Sequence, residues 1–305
     1  MTNNLPALTT RVMSGTRAID SLQQEAQVSG IFFTELRSLT KQPDVRTWTS
    51  PARFVDIHSH ILYGLDDGAK TREQSLEMLE LARSAGTTDI VATPHANGQY
   101  VFNPELIDER IAELSTHVDI RIHCGCDFRL QVDNIEDALA HPEKYTINHK
   151  GYLLVELPES TLFASTHEIL WRLLDAGMVP IITHPERNAQ LQQRLDDIAR
   201  WVASGCYVQV TAGAYTGNFG KLAKACAHEL IKRGLMHFVA SDAHDCKFRS
   251  PSLREAYACL AERWGEERIR PLFVDNPKAV LTGEPIDFEF PPRVVRTRKW
   301  YQFWG

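Results

Sequence analysis

Residues 53–68 read RFVDIHSHILYGLDDG, and the fold follows from taking the first half of this stretch as a strand that ends in ligands. Phe54, Val55 and Ile57 have the composition of a short buried strand, which delivers His58 and His60 at its downstream end. Residues two apart on an extended chain share a face, so the two imidazoles can grip one divalent ion without bending the backbone. Asp66 and Asp67 follow as hard oxygen ligands on the loop, and Gly68 permits a tight turn. Taken alone, an HxH pair is as well explained by a strand end that happens to carry histidines. Its weight comes from recurrence of the same pattern downstream.

Working outward, apolar segments of strand length lie near residues 54–58, 89–93, 119–124, 152–156, 179–183, 206–210 and 236–240. Amphipathic stretches separate them, among them Glu73 to Ala85, with Leu76, Leu79 and Ala82 or Arg83 along one flank, and Ile198 to Ala203. Apolar strands alternating with helices imply a parallel sheet covered on both faces. Seven such units predict an α/β fold, a distorted TIM-like (βα)7 barrel, with an open doubly wound sheet as the alternative. In a parallel barrel the site gathers where the strands end. The first strand delivers His58 and His60, the second His95, the third Asp127, the fourth Glu156, the fifth His184 and Arg187, and the seventh Asp242 and His244. The sixth ends in Gln209, Thr211 and Tyr215 and offers no ligand. Glu156, inside LLVELPE, is the hardest to treat as incidental, because a carboxylate in an apolar strand is costly unless a cation faces it. Asp56, in phase with the two histidines, is expected either to orient a ligand or to be a solvated strand start.

The bulk composition sets bounds. The chain has 305 residues, 43% hydrophobic and 24% charged, and a formal net charge of −6, which argues against general affinity for nucleic acid. Six cysteines form no disulfide framework, and Cys124 with Cys126 is C-x-C, so reduced thiols in a cytoplasmic protein are expected. No apolar run approaches the roughly 18 residues of a membrane span, so direct membrane insertion is not expected. Residues 1–50 read as a helical or partly disordered extension, 51–285 as the barrel and 286–305 as a tail. The terminal WYQFWG after RTRK suits a docking peptide, or equally packing onto the barrel or a second subunit of a homo-oligomer.

The candidate set holds five imidazoles, four carboxylates and no thiolate. That mixture suits manganese, iron or zinc and is nitrogen-rich for a plain calcium or magnesium cage. Nine ligands exceed the needs of one ion, so two or three ions are expected, with Glu156 as the natural central bridge. Three divalent ions against four carboxylates leave about +2, which favours a dianionic phosphate. Clustered ions can activate a water and clamp phosphoryl oxygens, and Arg187 and Arg249, if not ordinary surface residues, could fork onto the phosphate.

These residues resemble the PHP (polymerase and histidinol phosphatase) superfamily of metal-dependent phosphoesterases, and within it the CpsB/CapC-type protein-tyrosine phosphatases of capsule and exopolysaccharide synthesis. The resemblance runs from about Phe54 to Pro285 and rests on DIHSHI, LDDG, KTREQS, TPH, VEL, THPER, SDAH and FVDNP in that order. It implies a (βα)7 barrel and metal ligands at His58, His60, Asp67, His95, Asp127, Glu156, His184, Asp242 and His244. It also implies arginines at 187 and 249 that hold phosphate, manganese as cofactor (iron, zinc or magnesium as alternatives), and a bacterial tyrosine kinase as the phosphotyrosine substrate. Asp127 departs from the pattern, which has glutamate there. A cysteine-dependent phosphatase is excluded, since no cysteine stands six residues before an arginine. The rivals are a phosphoesterase acting on histidinol phosphate or a nucleotide, an amidohydrolase, whose bridging lysine is Glu156 here, and a non-enzymatic metal-stabilised scaffold that docks on a kinase.

Overall fold

Pro94 and Gly125 decide how the strands divide. The structure is a computed structural model that describes residues 53–159 and 162–286. Of the expected segments, 1–50 and all of the tail beyond Ile286 lie outside the described residues. The second expected strand is two short ones, β2 (Thr87–Ala92) and β3 (His95–Ala96), separated by Thr93 and Pro94. Proline carries no amide hydrogen, so the ladder cannot run through it. The third is likewise split into β4 (Arg121–Cys124) and β5 (Asp127–Arg129). Between them, a Cβ on Gly125 would come within 2.8 Å of the Val91 side chain and 3.2 Å of Ile147, so only glycine lets the chain cross there.

These breaks turn the barrel wall into two parallel sheets. One has the order β1-β2-β4, with β1 spanning Phe54–Ser59. The other runs β3-β5-β6-β7-β8-β9, with β6 at Tyr152–Glu156, β7 at Val179–Thr183, β8 at Tyr207–Thr211 and β9 at Phe238–Ala240. The wall closes where the chain after β9 returns to β1. The Asp242 amide donates to the His58 carbonyl at 2.8 Å, the His60 amide to the Ala243 carbonyl at 2.8 Å, and Ser59 bridges Ala243. Seven staves thus close, as the alternation of segments predicts, and the open-sheet alternative is set aside.

The helices follow from local signals. Helix α1 (Arg72–Ser84) starts at Thr71, whose hydroxyl accepts the Gln74 amide. It buries Ser75, Met78, Leu79 and Ala82, a face rotated slightly from the expected Leu76–Leu79 flank. Helix α2 (Pro104–Ser115) is capped by Asn103, which accepts the Leu106 amide at 3.0 Å, with proline in the first turn where its missing N–H costs nothing. The expected stretch 198–203 is the second half of Leu195–Ala203, which buries Ile198 and Trp201.

Strand phase sorts the core. Leu153 and Val155 of β6 pack with Leu170, Leu173 and Trp201 from the surrounding helices. Tyr152 and Leu154 pack instead with Val55, Ile57, Ile181 and Phe238. Glu156 is in phase with Leu154, so the row that fills the barrel's lower half puts a carboxylate at its upper end.

Candidate metal centre

All nine predicted ligands come together at one end of the barrel, with His95 and Asp127 opening β3 and β5 and the others at or after the ends of strands. Their donor atoms fall into four sets, each within 4.8 Å: His60, Asp67, His95 and His244; His58, His60 and Asp242; His58, Asp127 and His184; His95, Asp127 and Glu156. Asp127 belongs to two of these sets, as do His58, His60 and His95, and Glu156 to one. The aspartate's shorter side chain still lies between two histidines, 3.1 Å from His95 Nδ1 and 3.6 Å from His58 Nε2.

The spacings fit coordination. His58 Nε2 and His60 Nε2 stand 3.3 Å apart, and Asp242 Oδ1 is 3.4 and 3.3 Å from them. Asp67 Oδ1 is 3.4 Å from His95 Nε2 and 3.3 Å from His244 Nε2. Ligand atoms about 2.1 Å from a shared ion are separated by roughly 3.0–3.5 Å, the edges of an octahedron or tetrahedron. Several of these atoms satisfy nothing else: both Asp127 carboxylate oxygens, His95 Nδ1 and His244 Nε2 are buried without a hydrogen-bond partner. A fully buried carboxylate with no donor on either oxygen is expensive, and a divalent cation removes that cost. The residues therefore fit a metal.

The imidazoles are aimed from behind. His58 Nδ1 meets Gln209 Oε1 at 3.0 Å, His60 Nδ1 meets Asp66 Oδ2 at 2.6 Å, and His244 Nδ1 meets the Asp242 carbonyl at 3.0 Å. Each contact fixes the tautomer that leaves Nε2 unprotonated toward the cluster. Two sequence expectations change here. Asp66 is an orienting group and not a ligand, since its other contacts are the amides of Gly68 and His95. Gln209, on the strand thought to offer nothing, is what positions His58. The signal that could have found it is the one that marked Glu156, a polar residue inside an apolar strand, YVQVT.

Asp56 is fully buried and so is no solvated strand start. Its Oδ1 accepts the Ser241 amide at 3.0 Å and the His58 amide at 3.3 Å, so it ties the backbone before Asp242 to the strand that carries His58. Gly68 is required by close approach, because a Cβ there would meet the His60 carbonyl oxygen at 2.1 Å. His184 and Asp242 both take positive φ, 34° and 51°, an uncommon conformation for residues with a side chain and one that concentrates at functional strand ends.

The field in the cluster is negative. Burial works against the charge of Asp242, yet His58, His60, Arg187 and Arg249 hold its carboxyl well below the usual range. Burial would lower His60, but Asp66 and Asp242 raise it to about 9. Burial and then the neighbouring Asp127 push Glu156 up. His184 is held well below its ordinary value by burial and by Arg187, so its imidazole is neutral and available as a ligand.

Three guanidinium groups edge the cluster. Arg187 Nη1 and Arg249 Nη2 both contact Asp242 Oδ2. Arg129, which the sequence analysis passed over, donates from Nη1 to Glu156 Oε2 at 3.0 Å. It stands two residues after Asp127 on β5 and so faces the same way.

Comparison with known proteins agrees with this geometry. Residues 54–282 match the family described as capsular polysaccharide synthesis, CpsB/CapC. The chain is 34% identical over 256 residues to the tyrosine-protein phosphatase YwqE of Bacillus subtilis, covering 82% of this chain and all of the relative. It is 33% identical over 254 residues to the putative tyrosine-protein phosphatase CapC of Staphylococcus aureus, covering 81% and 99%. Among solved structures it superposes with a TM-score of 0.72 and 32% identity on one from work on Bacillus subtilis YwqE and Streptococcus pneumoniae CpsB, described as unique metal-dependent tyrosine phosphatases. That match covers 78% of this chain and 98% of the other. With the barrel, the clustered ligands and a match over most of its length, the chain belongs to the CpsB/CapC family.

Proposed function

We propose that this chain is a metal-dependent protein-tyrosine phosphatase, with manganese as its native ion. Its substrate is a bacterial tyrosine kinase that controls capsule or exopolysaccharide synthesis, met in the cytoplasm. The observation that carries the reading is the meeting of nine candidate ligand side chains with two arginines, 187 and 249, that both reach the buried carboxylate of Asp242. Ions held by His58, His60, Asp67, His95, Asp127, Glu156, His184, Asp242 and His244 would supply Lewis acidity to the phosphoryl group and lower the pKa of an attacking water. The protein's own part is to aim and to balance charge. Arg187 and Arg249 present N–H groups from one side for phosphate oxygens, while Gln209 and Asp66 hold two histidines in the ligating tautomer. The catalytic unit is the barrel, residues 51–285, with 1–50 and 286–305 accessory to it.

A thiolate mechanism has no support. All six cysteines are free, and burial pushes the thiols of Cys206 and Cys226 up to about 12 and that of Cys126 well above its ordinary value. A nucleophilic cysteine needs the opposite shift. The names of the relatives favour phosphotyrosine over histidinol phosphate as the substrate. The test is phosphate release from a phosphotyrosyl peptide by metal-stripped protein, with manganese restored and histidinol phosphate in parallel. Metal-restored release from the peptide supports the reading. Preference for histidinol phosphate replaces the substrate, and turnover of neither leaves a docking scaffold.

A further inference from the structure

Two aromatic rings lie near the arginines of the site, Phe219 against Arg187 and Phe248 against Phe219, and the second is exposed. Phe219, before the helix Gly220–Lys232, lies under the Arg187 guanidinium, whose carbon is 4.5 Å from the ring centroid. It is partly buried against the main core and lies over Gly213, where a Cβ would come within 2.7 Å of the ring, so the absence of a side chain there seats Phe219. Phe248 immediately precedes Arg249. Its ring meets that of Phe219 at a centroid distance of 6.4 Å and an angle of 75°, an edge-to-face pair, yet it is 57% exposed.

The loop that presents Phe248 is well braced. The His244 amide donates to the Arg249 carbonyl at 2.8 Å, and the Asp245 carboxylate accepts the amides of Lys247, Phe248 and Arg249 at 2.6, 2.7 and 3.2 Å. Asn218 Nδ2 donates to the Phe248 carbonyl at 2.9 Å and so joins the two ring-bearing loops. A large apolar side chain is thus held out to solvent by a fixed loop, next to Arg249, which reaches the buried Asp242 carboxylate.

We propose that Phe248, backed by Phe219, forms the surface that receives the phenyl ring of the substrate's phosphotyrosine. The inference rests on the phosphatase reading and adds how an aromatic ester is selected. In phosphotyrosine the ring is bonded directly to the phosphate oxygen, so a phosphate held by Arg187 and Arg249 must project its ring beside them. The exposed Phe248 ring, one ring removed from Arg187, is an apolar partner on that side, and a second aromatic ring can meet it edge-to-face as Phe219 does. A phosphate on serine or on an alkyl chain brings no such ring.

The test is steady-state kinetics of Phe248→Ala and Phe248→Tyr on a manganese-loaded phosphotyrosyl-peptide assay, with inhibition by inorganic phosphate measured for each. Loss of one aromatic contact is expected to raise the KM of Phe248→Ala for the peptide roughly three- to tenfold. kcat and the inhibition constant of inorganic phosphate are expected within about twofold of wild type, and Phe248→Tyr to restore the KM. An unchanged KM in Phe248→Ala overturns the inference, as does a phosphate inhibition constant that rises in step with it, since the ring would then act only by placing Arg249. Wild-type protein that fails to turn over the peptide overturns the phosphatase reading, and this inference with it. Wild-type turnover with an unaffected alanine variant overturns this inference alone.

Discussion

The barrel carries two clusters of histidine, aspartate and arginine, one at the strand ends and one near the strand starts, and only the first is built to take a ligand. At the start of β2 and β4, Asp89 accepts Arg121 Nε and Nη2, both at 2.6 Å, His123 Nε2 at 3.1 Å and Thr88 Oγ1 at 2.8 Å. Burial opposes its charge, but His123 and Arg121 outweigh it and hold the carboxyl low. Every lone pair there has a donor. In the metal cluster, Asp127 is fully buried with neither oxygen hydrogen-bonded, beside His58 Nε2 and His95 Nδ1. The residue types are alike, and what separates a structural cluster from a metal site is whether the buried donor atoms already satisfy one another.

The sharpest way to break this contrast is Asp127→Asn, which keeps the shape and removes the charge. Phosphotyrosyl-peptide hydrolysis is expected to fall more than about a hundredfold, beyond the ten- to hundredfold typical of losing an orienting partner, with the fold retained by circular dichroism. An activity near wild type would remove Asp127 from the centre.

The histidines at the two ends differ in the same sense. His237, just before β9, is buried and accepts the Val208 amide on Nδ1 at 3.2 Å, and burial lowers it to about 4. In the unfolded chain it takes a proton near 6.5, while in the fold it stays neutral down to about 4. The unfolded state therefore binds more protons in that window, and stability falls as pH drops from 6.5 toward 4, by on the order of 3 kcal/mol for this residue. Denaturant unfolding of wild type and His237→Asn across that range checks it. The variant should start less stable and lose less on acidification, and parallel curves would dismiss the assignment.

Gln209→Leu asks whether a strand that supplies no ligand still serves the site. Manganese affinity, read by calorimetry, is expected to weaken ten- to hundredfold because the His58 tautomer is released. The smallest effect belongs to Asp89→Asn, with activity unchanged and stability lower by about 1 kcal/mol, since Arg121 is largely exposed and screened. A melting temperature a few degrees lower with full turnover is the expected result, whereas lost turnover would tie the lower cluster to catalysis.

Strand periodicity tells which face a residue shares, and candidate ligands that continue an inner-facing row can be picked out by phase. Glu156 and Asp242 were legible for that reason, while His58 and His60, out of phase with Val55 and Ile57, were legible as a pair two apart. Periodicity did not reach Gln209, Arg129 or the true part of Asp66, because their roles depend on neighbours 151, 27 and 6 residues away, and it names faces without naming partners. The splits at Pro94 and Gly125 were visible as residues but not as breaks, since an apolar run hides the point where pairing passes from one sheet to the other.

The most direct test of the central claim is the metal content of the protein after dialysis against manganese, measured together with phosphotyrosyl-peptide hydrolysis before and after chelation. The account predicts about two to three ions per chain, with phosphate release that vanishes on chelation and returns with manganese. Undiminished release from metal-free protein would contradict it.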